Sequence, residues 1–421
     1  MKLKVLSILS APSLLVIGCI SEFEARLSVH DTQILVVDGT IMENTDVVFH
    51  LSEVFPMDAT DVSEEIFNIE AELTIIGSNG YQSLPARKGK DTITIKGKEK
   101  IIPAYRISAG ALDDNVEYGI QIKYSGDTYR STLSKPLRTP EIDSISWVQP
   151  EKEGPISFRI STHDDESEGA MFLLWTYTED WEVIAYHMAN IFLDLVGNAN
   201  PSGHPGYWCP GDSPYFYCWK KDRSRKILIG STENLTENRL IDHQFNEHDC
   251  ADERFSILYC ITISQQAISK EAYEYYQQKM KFTEEMGGLF TPQPHEVKGN
   301  ITCMTDPSKK VFGYVETIKN RPQQRIFVDT QKDKITRPPF LWIRSECELI
   351  SHGDISKYVP DYSKNIFREF YNKGYRPVYK SPVACAPESW AVHSCTDCRE
   401  NTRDGIKATK NKPDFWPNDH E

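Results

Sequence analysis

Cys19 is the residue with the most chemistry to offer. It closes Val16-Ile17-Gly18-Cys19, behind an apolar run from Val5 to Ile17 and the two lysines Lys2 and Lys4. A charged start, a short apolar stretch and a small residue before the cut make a secretory signal, too short to span a bilayer. A cysteine directly after that small residue is the sulfur a bacterial lipoprotein acylates. Cleavage before Cys19 and lipidation at Cys19 are therefore expected. Each buried methylene adds about 0.8 kcal/mol, so several acyl chains hold a protein to a bilayer far better than one. The plainer alternative is an ordinary cleaved signal with a chance cysteine. Ile20, not Asp, follows the lipid cysteine, which favours the outer membrane.

Nine further cysteines remain, and an exported chain meets an oxidising compartment, so disulfides are the default. The odd count leaves at least one thiol free or paired between chains. Cys209 and Cys218 flank a short aromatic loop and form the first expected bridge; Cys347, Cys385, Cys395 and Cys398 should supply one or two more. Cys260 lies in a strand-like run and reads as a buried small hydrophobe. Cys395-Thr396-Asp397-Cys398 has the spacing of zinc and redox sites, with His393 or Cys385 as further zinc ligands. A redox role would want a thioredoxin-like setting, which is missing, so a structural disulfide role is preferred. His163-Asp164-Asp165-Glu166-Ser167-Glu168 concentrates oxygen ligands that calcium could use, or forms a solvated acidic turn.

The best binding candidates are aromatic: Trp181, Tyr186, Tyr207, Trp208, Tyr215, Phe216, Tyr217 and Trp219, within a stretch rich in glycine and proline. Aromatic rings give large contact area at low entropic cost and stack on sugars or fill partner pockets. The alternative is a satellite hydrophobic cluster. No catalytic motif, phosphate-cradling loop or dinucleotide fingerprint occurs. No catalytic residue, cofactor or metal is assigned.

The elements that must position these residues read as strands. The chain has 421 residues, enough for two or three domains, and 39% hydrophobic content permits real cores. Its net charge is −14, or −16 once Lys2 and Lys4 leave with the signal. An acidic body disfavours nucleic acid and anionic membrane faces, so the lipid must anchor it. Residues 1–18 are the signal and 19–33 a tether. Over 34–138, short strands such as 34–37, 71–76 and the alternating 117–124, with a turn at Asn79-Gly80, predict a β-sandwich. A second sandwich is expected over 139–335, with Trp147, Phe158 and Trp175 in its core and an insertion at 181–225. Ser269 caps one helix at about 269–286, with Ala272, Tyr276 and Met280 on one face and Tyr273 beside them. Residues 311–316 and 324–329 look like closing strands, and 336–421 is an irregular Cys-rich segment. The fold class is mainly β: two tandem immunoglobulin- or fibronectin III-like sandwiches with one helix.

The chain resembles a Bacteroidota lipoprotein family, domain of unknown function family 4249. The matches are Leu35-Val36-Val37-Asp38-Gly39, Pro140 to Trp147, Ile229 to Leu235, the helix Glu271 to Tyr276, Gly299-Asn300-Ile301, Gly313-Tyr314 and Lys412 to Trp416. Ser21-Glu22-Phe23-Glu24 loosely resembles the surface-export signal of such lipoproteins. Asp91-Thr92-Ile93 and Asp143-Ser144-Ile145 fit their O-glycosylation pattern. No functional residue transfers. The resemblance implies an outer-membrane, surface-facing accessory protein beside a TonB-dependent transporter. The expected role is non-enzymatic binding of a small ligand, peptide or glycan. The rivals are an envelope or adhesion component and a hydrolase with an unrecognised site.

Overall fold

The structure, a computed structural model, describes residues 34–54, 64–95, 98–166, 169–189, 192–194, 206–208, 215–224, 226–285, 298–338, 347–358, 366–380, 387–400 and 405–417. The signal, Cys19 and the tether lie outside the described residues. Among those described, no helix is long and apolar enough to cross a membrane.

The first sandwich begins with β1 (Leu35–Asp38), β2 (Ile41–Met42), β3 (Asp46–Glu53) and β4 (Ala71–Gly77). It continues with β5 (Arg87–Ile95), β6 (Lys98–Ser108), β7 (Tyr118–Tyr124) and β8 (Asp127–Ser131). One sheet runs β1-β3-β6-β5 and the other β8-β7-β4. Leu35, Val37, Phe49, Leu51, Leu73, Ile75, Ile120 and Ile122 fill the space between them. Alternation along β3 sends Val47, Phe49 and Leu51 inward, as a period of two requires. Between β7 and β8, Ser125 and Gly126 both take positive φ (52° and 84°), the two-residue turn whose twist matches paired strands. At Asn79-Gly80 the chain turns tightly and Tyr81 N–H donates to Asn79 Oδ1 at 2.9 Å.

The second sandwich begins with β9 (Ile142–Val148), β10 (Ile156–His163) and β11 (Phe172–Ile184), after which β12 (Phe192–Asp194) and β13 (Gly206–Trp208) form a separate two-stranded sheet. Then come β14 (Tyr217–Arg223), β15 (Leu228–Ser231), β16 (Arg239–His248), β17 (Leu258–Ala267) and helix α1 (Lys270–Glu285). Sheet β16-β10-β9 faces a sheet built on β11 and β17. Phe158 sits at the centre, its ring centroid within 6.4 Å of those of Phe245, Phe255 and Tyr259. Phe158 and Trp175 are fully buried as expected, whereas Trp147 is only half-buried and packs at the core's edge.

Four strands follow the helix: β18 (Ile301–Cys303), β19 (Val311–Phe312), β20 (Thr317–Ile318) and β21 (Gln323–Asp329). Only β21 completes the second sandwich, beside β17. The other three return to the first. β18 pairs with β8, β19 lies parallel to β1, and β20 lies parallel to β2. This corrects the assignment of the whole of 139–335 to the second unit. The reason is apolar: Ile301, Cys303 and Val315 bury their side chains in the first core.

In the Cys-rich C-terminal segment, β22 (Ile350–Ser351), β23 (Tyr375–Lys380) and β24 (Pro387–Val392) form a small sheet. Helices α2 (Ile355–Tyr358) and α3 (Ile366–Asn372) pack on it around Ile355, Phe370 and Trp390. The disulfides Cys218–Cys398 and Cys347–Cys395 tie the segment down. Cys218 therefore does not pair with Cys209, the bridge its spacing suggested; its partner lies 180 residues away. Cys209 and Cys385 lie outside the described residues.

Candidate functional site

Three passes of the chain form the junction between the sandwiches, and one-atom side chains decide its geometry. A Cβ on Gly299 would stand 1.7 Å from the carbonyl oxygen of Gly313, and one on Gly313 would stand 2.2 Å from that of Val37. Only glycine lets these backbones touch, and Gly313 also has φ +135°. Nearby, Thr139 and Asn320 bind each other reciprocally: Thr139 N–H donates to Asn320 Oδ1 at 2.9 Å, and Asn320 Nδ2 donates to Thr139 O at 2.9 Å. Gln265 Nε2 donates to Pro140 O at 2.8 Å. The helix α1 starts here. Ala272 N–H donates to Ser269 Oγ at 3.2 Å, so Ser269 is the expected cap, and Ser269 N–H donates to Glu316 Oε1 at 2.9 Å. Burial raises the pKa of Glu316 above the usual carboxylate range, with the Ser269 hydrogen bonds opposing. On the buried face of α1 lie Ala272 and Tyr275; Tyr273 rests on Phe172, with ring centroids 5.2 Å apart.

Beside this junction opens a cleft of about 660 Å³. The first sandwich supplies Asp38, Gly39, Met42, Asp46, Val48 and His50 to its lining. The second supplies Leu174, Thr176, Arg223, Ser264, Gln266 and Arg321, and α1 adds Tyr276. A cleft of this size between two domains is a usual place for a ligand site, and this one is lined mostly by polar and charged side chains, with Met42, Val48 and Leu174 in its apolar part. Two of its charges are already matched. His50 Nε2 lies 2.9 Å from Asp91 Oδ2, and Arg87 Nη2 donates to Asp46 Oδ2 at 2.7 Å. Arg321 donates through Nη2 to the neutral Gln266 Oε1, and its Nε has no hydrogen-bond partner. Burial pulls the Arg321 pKa down, against the opposing influence of Tyr276 and Asp38. The Tyr276 phenol is pushed up, by burial first and then by Asp38.

The aromatic candidates are split apart. Trp181 is a correction: it belongs to the long strand β11, is 2% exposed, and lies under the Arg254 guanidinium at 4.8 Å. Trp219 is buried against Cys260 and Trp416, Tyr217 packs on the same cluster, and Phe216 packs on the second core. The insertion thus begins after Ile184, because β14 pairs with β11 all the way from Thr178 to Ile184. Tyr186 and Tyr215 are exposed at the surface, Tyr215 beneath Arg399 at 4.4 Å. Tyr207 belongs to β13, and both its side chain and that of Trp208 lie outside the described residues.

The other chemical candidates are internally paired. In the acidic loop, His163 Nδ1 lies 2.8 Å from Asp143 Oδ1, and Arg138 Nη1 lies 2.7 Å from Glu166 Oε2. The hydrogen bond to Asp143 raises the His163 pKa. Cys395 and Cys398 bond to different partners, and Asp397 between them accepts from Arg399 Nε at 2.9 Å. Cys260 is free and buried as expected, its thiol pushed by burial to about 12; Cys250 and Cys303 are also free and buried. Among the described residues, no group of three or more His, Cys, Asp or Glu could hold a metal ion. One buried polar network stands apart. Glu179 Oε1 accepts from Tyr259 Oη and lies 2.6 Å from His248 Nε2. Burial raises the Glu179 carboxyl, but His248 and Arg254 bring it below the usual range.

The cleft residues Arg321, Gln266 and Tyr276 were not singled out as binding groups from the sequence. A signal was available: Leu35 to Gly39, Glu271 to Tyr276, Gly299 to Ile301 and Gly313-Tyr314, which carry the family resemblance, all converge on the junction. No curated protein matches the chain. Among solved structures it is similar to a two-domain fibronectin type III segment of chicken tenascin, at 13% identity over 56% of this chain and 95% of that one, with a TM-score of 0.13. It is also similar to the Yersinia pseudotuberculosis adhesin InvE, at 7% identity over 56% of this chain and 55% of that one, with a TM-score of 0.13. A family model matches residues 20–324, well over half the sequence, and the chain belongs to the family described as a domain of unknown function, DUF4249.

Proposed function

We propose that this protein is an outer-membrane lipoprotein, anchored by acyl chains on Cys19 and facing the cell exterior. It acts there as a non-enzymatic accessory partner of a TonB-dependent transporter in nutrient uptake. The observation that carries the reading is the signal of residues 1–18 followed directly by Cys19, set ahead of a β-built body. The acidic net charge of −14 supports anchorage by lipid rather than by charge. The cleft between the sandwiches offers a place to hold a ligand, and the lipid confines it beside the barrel, raising its effective concentration there.

The test is to feed cells labelled palmitate and then affinity-purify the protein from intact membranes. Label should enter the parent and be absent from Cys19→Ser, and a TonB-dependent barrel should co-purify with the parent. An unlabelled protein that washes free in buffer rejects the anchor. A labelled protein that never recovers a barrel rejects the partner.

A further inference from the structure

We infer that the cleft between the two sandwiches binds a small zwitterion of the amino-acid or short-peptide class, with its carboxylate on Arg321 and its ammonium on Asp38. The inference deepens the proposed binding role and rests on it. Its basis is charge without an ion-pair partner in one cleft: the half-buried guanidinium of Arg321, with the exposed Asp38 and the exposed Arg223 in the same lining. The Arg321 guanidinium donates only to the neutral Gln266, and its Nε is without a partner. Among the described residues, neither Arg321 nor Asp38 has an ion-pair partner within 4.0 Å, whereas Asp46 and His50 on the same wall do. A half-buried guanidinium without a carboxylate is costly, and a planar carboxylate is the group its fork of donors fits best.

Asp38 narrows the class further. It ends β1 on the opposite sandwich, where it is exposed, and it lines the same cleft as Arg321 and Tyr276. A purely cationic ligand would meet repulsion from Arg321 and Arg223, and an anion with no ammonium would leave Asp38 unmatched beside it. A neutral sugar would return hydrogen bonds to both groups but an opposite charge to neither. A molecule with one carboxylate and one ammonium satisfies both. Ser264 and Gln266 can serve its peptide groups, while Met42, Val48 and Leu174 offer apolar contact to its side chains.

The probe is a mixture of free di- to tetrapeptides from a casein digest, passed over the immobilised full-length protein in detergent and read by mass spectrometry. A second portion carries acetylated amino termini and amidated carboxyl termini. The parent should retain free peptides and lose at least tenfold in retention of the doubly capped ones. Arg321→Met and Asp38→Asn should each lose at least tenfold towards free peptides, with circular dichroism verifying that they fold. Equal retention of capped and free peptides, or retention of neither by the parent, overturns the inference. The capped arm needs no variant, so a misfolded mutant cannot rescue or sink it. Failure here with palmitate labelling and barrel co-purification intact rejects the ligand class alone; failure of those two rejects the proposed role without touching the cleft.

Discussion

Glu182 shows what a single buried carboxyl does to the pH response. Its side chain is fully enclosed, and burial raises its pKa from 4.5 to about 7, although Lys412 and Trp416 pull the other way. Below about pH 4.5 the folded and unfolded chains both hold the proton, and no penalty arises. Between 4.5 and 7 the unfolded chain ionises first, so stability falls as pH rises. Above 7 the penalty is complete, on the order of 3 kcal/mol for a shift of this size. Glu182→Gln cannot ionise. The variant should be more stable than the parent at pH 8 and nearly equal at pH 4.5, as read by urea midpoints; the same difference at both values would sink the idea. A steric counterpart stands at the junction. Gly299→Ala puts a methyl 1.7 Å from the Gly313 carbonyl oxygen, inside a crossing of three backbones that has no flexible side chain to yield. It should cost about 3 kcal/mol or more in chemical denaturation; a loss under 0.5 kcal/mol would mean that the crossing relaxes freely. Neither effect was legible in the sequence. Glu182 sits in a stretch that looks like a polar-edged loop, and the groups that enclose it, around Trp416, come from the far end of the chain.

The elements themselves were largely legible, because local patterns produce them. Alternation in 117–124 gave β7, the cap Ser269 gave the start of α1, and 324–329 falls within β21. Trp181 was misplaced for a definable reason. The far half of β11 is buried on both faces, so its alternation disappears, and a continuous apolar and acidic run reads as irregular. The second covering comes from the tail: Trp219 N–H donates to Thr409 O at 2.8 Å, and Trp416 packs edge-on to Phe327 with centroids 5.5 Å apart. The same double burial explains an ion pair inside the fold. Lys220 Nζ on β14 donates to Glu253 Oε2 at 2.7 Å, both side chains being enclosed, and so joins the strand to the short 3-10 turn Glu253–Phe255. Lys220→Met leaves a carboxylate enclosed without its cation and should cost about 3–5 kcal/mol. The double change Lys220→Met with Glu253→Leu removes both charges and should recover most of that loss. A double-mutant cycle by urea denaturation checks this, and additive losses would show that the two side chains act separately.

At the scale of the whole molecule, the two-sandwich order was legible from strand spacing, but the long-range closures were not. Ile301 to Cys303 return to β8 across about 170 residues, and Cys218 finds Cys398 across 180. Nothing near Cys218 announces that partner, whereas Cys209, nine positions earlier, looks like one. The two disulfides have a consequence that can be measured. Among the described residues, the lobe they hold has two small buried clusters, Ile355, Phe370 and Trp390 in one and Val378 and Ala391 with the Cys347–Cys395 bridge in the other. Clusters so small cannot offset the entropy of ordering the lobe's own backbone. The bridges close separations of 180 and 48 residues, for which loop-closure entropy gives upper values of about 5 and about 4 kcal/mol. Both sandwiches, by contrast, have cores of many enclosed side chains, and the first has no disulfide among its described residues. Reduction should therefore melt the lobe first and leave the first sandwich's transition unmoved in calorimetry. Limited proteolysis of the reduced protein should cut between 347 and 398, while the segment around Phe415 and Trp416 stays protected. Its protection comes from contact rather than from sulfur, since Arg325 lies over the Phe415 ring at 3.4 Å and Trp416 is enclosed beside Trp219. A digestion pattern identical with and without reductant would mean that packing alone holds the lobe and that the bridges add little to it.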